Sequence, residues 1–387
     1  MNDAVADAIQ TRRNDLVALR RELHAMPELG FKETSTAALI GQRLSAAGLQ
    51  VRNGIGGTGL TATLDGSSDG PTLMIRADID GLPIDERTGL GYASTNGAMH
   101  ACGHDGHVTM AVGAAEILAG MRDRLKGRVV FLFQPAEEVV QGALAMIEDG
   151  VLDEIKPDRV IGLHLWNQVP LGQVGVNQGT VFAGADAIRI EVTGKGGHGA
   201  LPHTTVDPVV TASAIVTTMQ TVVSREISPN EMGVVTFGKV HGGSAPNVIA
   251  DQVVLEGTIR AYRPDIREKI LEAVPRIAAG VASGMRARTT FKRLYGAPPV
   301  INNPEVATWV ARHATAVVGE SAVGEVPPVS VGDDMAEFLD RVPGCYFLLG
   351  AAKEGSESHH NAGFDFDERC LPTGTEIFVR SAVDYLG

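Results

Sequence analysis

Apolar residues recur every three or four positions at the start of the chain, and polar residues fill the positions between them. This spacing is typical of amphipathic helices, and it predicts one helix over about residues 4–24. A second helix is predicted over about 34–47, with Thr34 or Ser35 as its N-cap. The chain therefore opens with two helices, each with one face that must be buried.

Short apolar runs then alternate with helical patterns up to about residue 185. The runs predict strands over 60–64, 72–77, 128–133 and 159–166. The last two are apolar at nearly every position, which is typical of strands buried on both faces. Helices are predicted over 105–119 and 139–149. Alternating strands and helices predict an α/β fold, with a sheet flanked by helices.

The pattern changes over residues 186–297, where the order is strand, helix, strand, strand, helix, strand. This order is the split βαβ, ferredoxin-like arrangement of a small α+β domain. The predicted elements cover 187–194, 207–225, 234–240, 253–262, 264–283 and 287–295. Helix and strand alternate again after about residue 303. We therefore predict one α/β domain from residues 1–185 and 298–387, with residues 186–297 inserted as a second domain.

Composition narrows the function classes. The 387 residues are 44% hydrophobic and 20% charged, which is ordinary for a globular protein. The net charge of −13 argues against binding to nucleic acid or to an anionic membrane surface. Three cysteines give no disulfide framework, and the polar N-terminus does not resemble a signal peptide. We expect a cytoplasmic protein.

The densest cluster of reactive side chains is MHACGHDGH at 99–107, just before a predicted helix. The thiolate of Cys102 and the imidazole of His104 are good ligands for a divalent metal ion. The alternative is that His104 is a capping or surface histidine and Cys102 a small core residue.

A second cluster, QPAEE at 134–138, follows a predicted buried strand. Open α/β sheets place their sites at such strand ends. One of the two glutamates, Glu137 and Glu138, could ligate a metal while the other takes a proton from water. Alternatively, the pair could be a solvated helix N-terminus.

Single histidines complete the set. His164 lies in an apolar strand, where a hydrogen-bonded core histidine is the alternative, and His359 and His360 lie in a polar turn that could be a surface loop. The candidates all fall at predicted strand ends of one domain. Five ligands suffice for two metal ions if one ligand bridges them at about 3.5–4 Å separation. Those five are Cys102, His104, Glu138, His164 and one of His359 and His360.

The inserted domain has its own candidates. His198 lies in the glycine-rich segment 194–203, Asn247 follows a proline, and Arg260 lies in a predicted strand. An arginine suits a substrate carboxylate, and an imidazole or amide suits an oxyanion. The alternative is that the glycines only form tight turns.

Three other motifs give weaker evidence of a functional site. The glycines at 54–59 match a dinucleotide fingerprint, but a predicted strand follows them instead of a helix, so we predict a hairpin turn. GKGG at 194 lacks the spacing of a phosphate loop. A nucleophilic Cys102 would leave Glu138 and His164 without a role.

Taken together, the motifs resemble the M20 metallopeptidases, and most closely their N-acyl-amino-acid amidohydrolase branch, which includes hippurate and auxin-conjugate hydrolases. The resemblance spans nearly the whole chain, and the motifs occur in the family's order. They are RRELHAMPELGFKETST, RADIDGLPIDE, HACGHDGH, FQPAEE, GLHLW, GKGGHGALPH, APNVIAD, GTIRAY and HHNAGFDF.

The resemblance implies a catalytic domain with a mixed sheet and two divalent metal ions per subunit, which could be zinc, manganese, cobalt or nickel. It implies that Cys102 bridges the ions. Glu138 and His360 would complete one site, and His104 and His164 the other.

The resemblance also implies roles for residues around the ions. Glu137 would be the general base, and Asp80 would orient metal ligands. His198 would reach a partner subunit and stabilise the oxyanion, while Asn247 and Arg260 would hold the carboxylate end of the substrate. The inserted domain would be a lid that also forms a homodimer.

The implied activity is hydrolysis of N-acyl-L-amino acids to a carboxylic acid and a free amino acid. The alternatives are a dipeptidase or exopeptidase of the same superfamily and a catalytically silent metal-binding homologue. One motif departs from the family: Gly332-Asp333-Asp334-Met335 stands where Ser/Gly-Glu-Asp-Phe is usual. This departure leaves the preferred acyl group open.

Overall fold

The computed structural model describes residues 2–387. Its strands, in chain order, are β1 (Gln50–Ile55), β2 (Gly59–Asp65), β3 (Thr72–Asp78), β4 (Arg128–Gln134), β5 (Arg159–Trp166), β6 (Val174–Gly175), β7 (Thr180–Phe182), β8 (Gly184–Thr193), β9 (Gly197–His198), β10 (Gly233–Gly242), β11 (Val248–Ile249), β12 (Gln252–Ala261), β13 (Arg288–Ala297), β14 (Val300–Ile301), β15 (Val323–Gly324) and β16 (Gly344–Gly350). Its α-helices are α1 (Asn2–His24), α2 (Thr34–Ala46), α3 (His104–Ala119), α4 (Gly142–Glu148), α5 (Val151–Ile155), α6 (Pro208–Thr221), α7 (Pro264–Gly284), α8 (Pro304–Val318), α9 (Met335–Leu339) and α10 (Cys370–Leu386).

The chain divides into two compact units. The first comprises Met1–Val181, Ile301–Pro327 and Asp334–Gly387, and the second comprises Phe182–Val300 and Pro328–Asp333. Each unit has its own cluster of buried apolar side chains.

The first unit is built on a mixed eight-stranded sheet in the order β1-β2-β4-β3-β5-β16-β6-β15. Its central strands β4, β3, β5 and β16 are parallel, while β1, β2 and β6 pair antiparallel. The central strands are buried along almost their whole length, as their apolar runs predict. The predicted α/β class with a mixed sheet is confirmed, and glycines 54–59 form the turn of the β1–β2 hairpin.

Two local predictions were wrong. The carboxylate of Glu28 accepts hydrogen bonds from the backbone N–H groups of Ser35 and Thr36, so an acid six residues upstream caps α2 in place of Thr34 or Ser35. The helix predicted over 139–149 begins only at Gly142, because the residues before it form a turn. These residues carry the two candidate glutamates.

The second unit is an antiparallel sheet in the order β10-β12-β8-β13, packed against α6 and α7. The order β8, α6, β10, β12, α7, β13 along the chain is the split βαβ arrangement. A two-stranded pair, β9 with β11, accompanies it. No helix of residues 2–387 has the length and apolar character that crossing a membrane requires.

Candidate metal centre and active site

The parallel strands of the first unit bring the candidate residues to one edge of the sheet. The carboxyl ends of β3, β4, β5 and β16 lie on the same side because these strands run in the same direction. Asp78 ends β3, Glu137 and Glu138 follow β4, and His164 lies near the end of β5. His360 lies in the loop after β16. The sheet topology thus gathers residues from widely separated motifs.

Two sets of three ligand atoms form at this edge, and they share one residue. One set comprises Cys102, His104 and His164, and the other comprises Cys102, Glu138 and His360; within each set the ligand atoms lie within 4.8 Å of one another. Cys102 Sγ is 3.5 Å from His164 Nε2, and Glu138 Oε2 is 3.3 Å from His360 Nε2. The five residues expected to hold two ions therefore lie together.

The contacts of the two adjacent histidines differ, and they favour His360 as the candidate ligand. His359 belongs to neither set; its ring stacks on Trp166 at 4.5 Å, and its Nε2 accepts the N–H of Asn167. His360 has a φ of 64°, an unusual conformation for a non-glycine residue, and its N–H donates to the carbonyl of Ala101. This contact ties the His360 loop to the segment that carries Cys102.

The hydrogen bonds of the buried histidines suit metal binding. His104 Nδ1 donates to the carbonyl and the carboxylate of Asp80, at 2.9 and 3.2 Å, and His164 Nδ1 donates to the carbonyl of Leu165 at 2.7 Å. In a neutral ring these bonds leave the Nε2 lone pairs available. His104 Nε2 and Glu138 Oε1 are buried without a hydrogen-bond partner among the described residues. Such orphaned atoms are costly unless a ligand meets them, and the donor set suits a divalent cation.

The electrostatics of the site favour added positive charge. Burial alone lowers the pKa of His104, but the charges of Asp78 and Asp80 outweigh it and raise that pKa to about 10. Burial, together with the same two aspartates, raises the pKa of Glu138 above its ordinary value. Carboxylates thus exceed cationic groups around these ligands, and a bound divalent ion would supply the missing charge.

A third combination, Asp78, His104 and His107, also has closely spaced ligand atoms. It does not fit an ion, because both ring nitrogens of His107 are engaged. Nδ1 donates to Asp78 at 2.6 Å, and Nε2 accepts the N–H of Leu165 at 2.9 Å. His107 therefore joins the ends of β3 and β5 next to His164. Of the histidines in 99–107, only His104 belongs to one of the two sets that share Cys102.

A buried polar network supports the first turn of α3. The carboxylate of Asp105 accepts hydrogen bonds from Arg20 Nε at 2.9 Å and His24 Nδ1 at 2.7 Å. Arg20 also donates to Asp365, on the segment after His360. Sequence analysis missed Arg20 and His24, although two basic residues four apart on the apolar face of α1 were a usable signal.

The carboxylate of Asp80 contacts both His104 and the backbone of Glu138. Asp80 Oδ2 accepts the N–H of Glu138 at 3.0 Å, while its other oxygen faces His104. The carboxylate of Glu137 is buried, and its Oε2 lies 3.8 Å from His104 Nε2. Glu138 therefore joins the second ligand set, while Glu137 stands beside the first.

In the second unit, the segments of His198 and Asn247 are paired. His198 of β9 lies opposite Val248 of β11, and the N–H of Gly199 donates to the carbonyl of Asn247 at 2.8 Å. His198 Nδ1 accepts the N–H of Ala200, so the neutral ring carries its proton on the exposed Nε2. His198 and Asn247 are both exposed. A donor is thus presented at the surface of this unit.

Arg260 is half-buried on β12, and its guanidinium has no hydrogen bond or ion pair with another described residue. The nearby Asp186 pairs instead with Arg267 and Arg293. Burial lowers the pKa of Arg260, against the charge of Asp186. A Cβ on Gly332 would lie 2.6 Å from Cβ of Ala185 and 3.3 Å from Nη1 of Arg260, so the glycine lets the backbone approach the guanidinium closely. This arrangement suits an incoming anion.

Comparison with known proteins extends the picture. Residues 74–384 match the model of Peptidase family M20/M25/M40. The chain is 39% identical over 375 residues to N-acetyl-L-cysteine deacetylase of Bacillus subtilis, covering 97% of this chain and 89% of that protein. It is 34% identical over 394 residues to thermostable carboxypeptidase 1 of Saccharolobus solfataricus, covering 98% and 99%. The Bacillus subtilis YXEP protein, described as a dinuclear metal-binding peptidase, superposes with a TM-score of 0.85 at 34% identity, covering 97% and 99%.

Proposed function

The chain belongs to peptidase family M20/M25/M40, and from this premise we propose that it hydrolyses the amide bond of N-acyl-L-amino acids with a pair of divalent metal ions. The observation that carries the proposal is the pair of ligand sets sharing Cys102, with the carboxylate of Glu137 beside them. The similarity to a deacetylase of an N-acetyl amino acid favours an acyl substrate.

We propose that Cys102 bridges the two ions, with His104 and His164 on one and Glu138 and His360 on the other. When bound, the ions polarise the substrate carbonyl and lower the pKa of a water molecule. Because a thiolate, imidazoles and a carboxylate suit zinc, manganese, cobalt and nickel alike, the donor set does not select one metal.

Glu137 is the proposed proton carrier. It takes a proton from the attacking water as the water oxygen bonds to the carbonyl carbon, and it returns a proton to the amide nitrogen as the C–N bond breaks. The products are a carboxylic acid and a free amino acid. Burial of Glu137 keeps bulk water from competing for that proton.

Residues of the second unit are proposed to bind the substrate. Arg260 would pair with the carboxylate of the amino acid, and Asn247 would donate to the same end. The Nε2–H of His198 would stabilise the oxyanion. From the family resemblance, we propose that this unit acts as a lid and dimerises, so that His198 serves the site of a partner subunit. We also propose that the protein is cytoplasmic.

A substrate panel tests the function. N-acetyl, N-benzoyl and indole-3-acetyl derivatives of several L-amino acids, with matched dipeptides, are offered to protein loaded with zinc, manganese, cobalt or nickel. We expect about two ions per chain and release of free amino acid from at least one N-acyl substrate. Turnover of dipeptides alone would establish a peptidase, and two bound ions without any turnover would indicate a silent homologue.

Mixing variants tests the role of His198 across the dimer. His198→Ala and Glu137→Gln should each be inactive alone, because each lacks one group of every site. Mixed under conditions that exchange subunits, they should regain activity, since hybrid dimers contain one intact site. His203→Ala, which changes a histidine in the same glycine-rich segment, serves as the control and should stay active. Absence of recovery despite demonstrated exchange would rule out a role in trans.

A further inference from the structure

The loop between β4 and α4 carries both glutamates in an unusual backbone conformation. Ala136 has a φ of 52° and Val140 a φ of 56°, a region that non-glycine residues rarely occupy and that is least favourable for a β-branched one. At the end of the loop, a side chain on Gly142 would lie 1.6 Å from the carbonyl oxygen of Pro135. Such a conformation persists only where the surroundings over-determine it.

One buried carboxylate closes the base of this loop. Asp334, immediately before α9, accepts hydrogen bonds from Gln134 Nε2 at 2.6 Å and from the N–H of Ala143 at 2.9 Å. Gln134 is the last residue of β4, and Ala143 lies in the first turn of α4, so the two bonds span the loop. Arg76 Nη2 also donates to Asp334, at 3.2 Å. Asp334 is 1% exposed, so water cannot replace it readily.

A second buried carboxylate holds the loop at a different point. Glu33, which is fully buried just before α2, accepts the N–H of Ala136 at 2.8 Å with one oxygen and the hydroxyl of Thr58 with the other. Ala136 directly precedes Glu137. Glu33 therefore fixes one of the two left-handed residues at the point where the glutamates begin.

We propose that Asp334 and Glu33 form a two-sided clamp that positions Glu137 and Glu138. Neither residue is among the proposed ligands of the metal or the substrate. Asp334 holds the two ends of the loop, at Gln134 and Ala143, and Glu33 holds the backbone of Ala136 within it. A displacement of about 1 Å at a catalytic group costs up to about 10²-fold in rate, so a slack loop would impair the chemistry. The inference rests on the proposed role of Glu137.

Four single variants test the clamp. Asp334→Asn replaces the carboxylate that accepts three hydrogen bonds with an amide, which cannot accept all three. Glu33→Met removes the acceptor for the N–H of Ala136. Glu33→Gln is the conservative counterpart, since its carbonyl still accepts from Ala136 and the Thr58 hydroxyl can rotate to accept. Glu337→Gln is the matched control, because Glu337 is a buried acid on α9 that pairs with Arg341 instead of the loop.

Two measurements are made on each folded variant. The first is hydrogen exchange of the backbone amides of residues 134–143 in metal-free protein. The second is kcat and KM of the metal-loaded enzyme. For Asp334→Asn and Glu33→Met we expect faster exchange in this segment and a fall in kcat of about 10- to 100-fold, with little change in KM. Glu33→Gln and Glu337→Gln should match the wild type in both.

Several results would contradict the clamp, and each can be recognised separately. Wild-type exchange and kcat in Asp334→Asn or Glu33→Met would overturn the clamp, as would an equal loss in Glu337→Gln. If Asp334→Asn does not fold, the contrast between Glu33→Met and Glu33→Gln decides the question. The exchange measurement needs no substrate. A wild-type protein without amidase activity would therefore refute the proposed function while the clamp is still tested.

Discussion

Glu137→Gln should lower kcat by about 10²- to 10⁴-fold and leave metal binding unchanged. Glutamine fills the same space but cannot take a proton from water or return one to the leaving nitrogen. In the structure, Glu137 lies beside the ligand sets, and its neighbour Glu138 supplies the carboxylate close to His360. Substrate affinity should change little, because the amide keeps the shape of the site.

The control for this prediction is the same substitution one residue later. Glu138→Gln should weaken metal binding first and lose activity for that reason. The comparison matters because His104, Glu137 and Glu138 also have closely spaced ligand atoms, so that Glu137 could itself be a ligand. Metal content and kcat measured for both variants separate the roles. Loss of metal from Glu137→Gln, or near wild-type turnover, would refute the assignment as general base.

Much of this site could be predicted because its residues lie at strand ends. The apolar runs that become β4 and β5 are easy to recognise, and they place Glu137, Glu138 and His164 near one sheet edge. The pairing of a thiol with an imidazole in Cys102 and His104 supplied the chemistry. These inferences use only local pattern and the general rule for parallel strands.

Other features depend on contacts that local pattern does not record. His359 and His360 are adjacent and chemically identical, and only their tertiary contacts distinguish them: His359 stacks on Trp166, while His360 Nε2 lies 3.3 Å from Glu138 Oε2. The helix predicted over 139–149 forms only over Gly142–Glu148, because apolar spacing continues through residues that the fold bends into the left-handed region. Asp334, whose carboxylate accepts the N–H of Ala143 at the end of that bend, lies about 190 residues away.

The acidic residues also divide into a part that local pattern predicts and a part that only the tertiary fold shows. Asp105 could be read as the first acid of a helix, yet its partners Arg20 and His24 come from α1, some 80 residues earlier. Glu28 caps α2 from six residues upstream, in a place where a serine or threonine was the expected cap. Buried acids of this kind are identified by their donors, and donors are brought together only by the tertiary fold.

Asp80→Ala should lower metal affinity by about 10- to 100-fold, because one carboxylate positions two ligands. Its Oδ1 accepts from His104 Nδ1 at 3.2 Å, and its Oδ2 accepts the N–H of Glu138 at 3.0 Å. His104 belongs to one ligand set and Glu138 to the other. The backbone carbonyl of Asp80 still accepts from His104 at 2.9 Å, so the site should be weakened and not abolished.

Because the backbone carbonyl of Asp80 still orients His104 in this variant, the site should remain able to bind metal, and this can be tested. Activity of Asp80→Ala should return as the metal concentration is raised, since mass action refills a weakened site. Activity of Glu137→Gln should not return, because its ions are already bound. Asp158→Ala is the control: Asp158 accepts the N–H of Thr72 at the opposite end of β3, and its loss should leave metal affinity intact. If excess metal fails to restore Asp80→Ala, Asp80 does more than hold ligands, and a direct part in proton transfer would have to be considered.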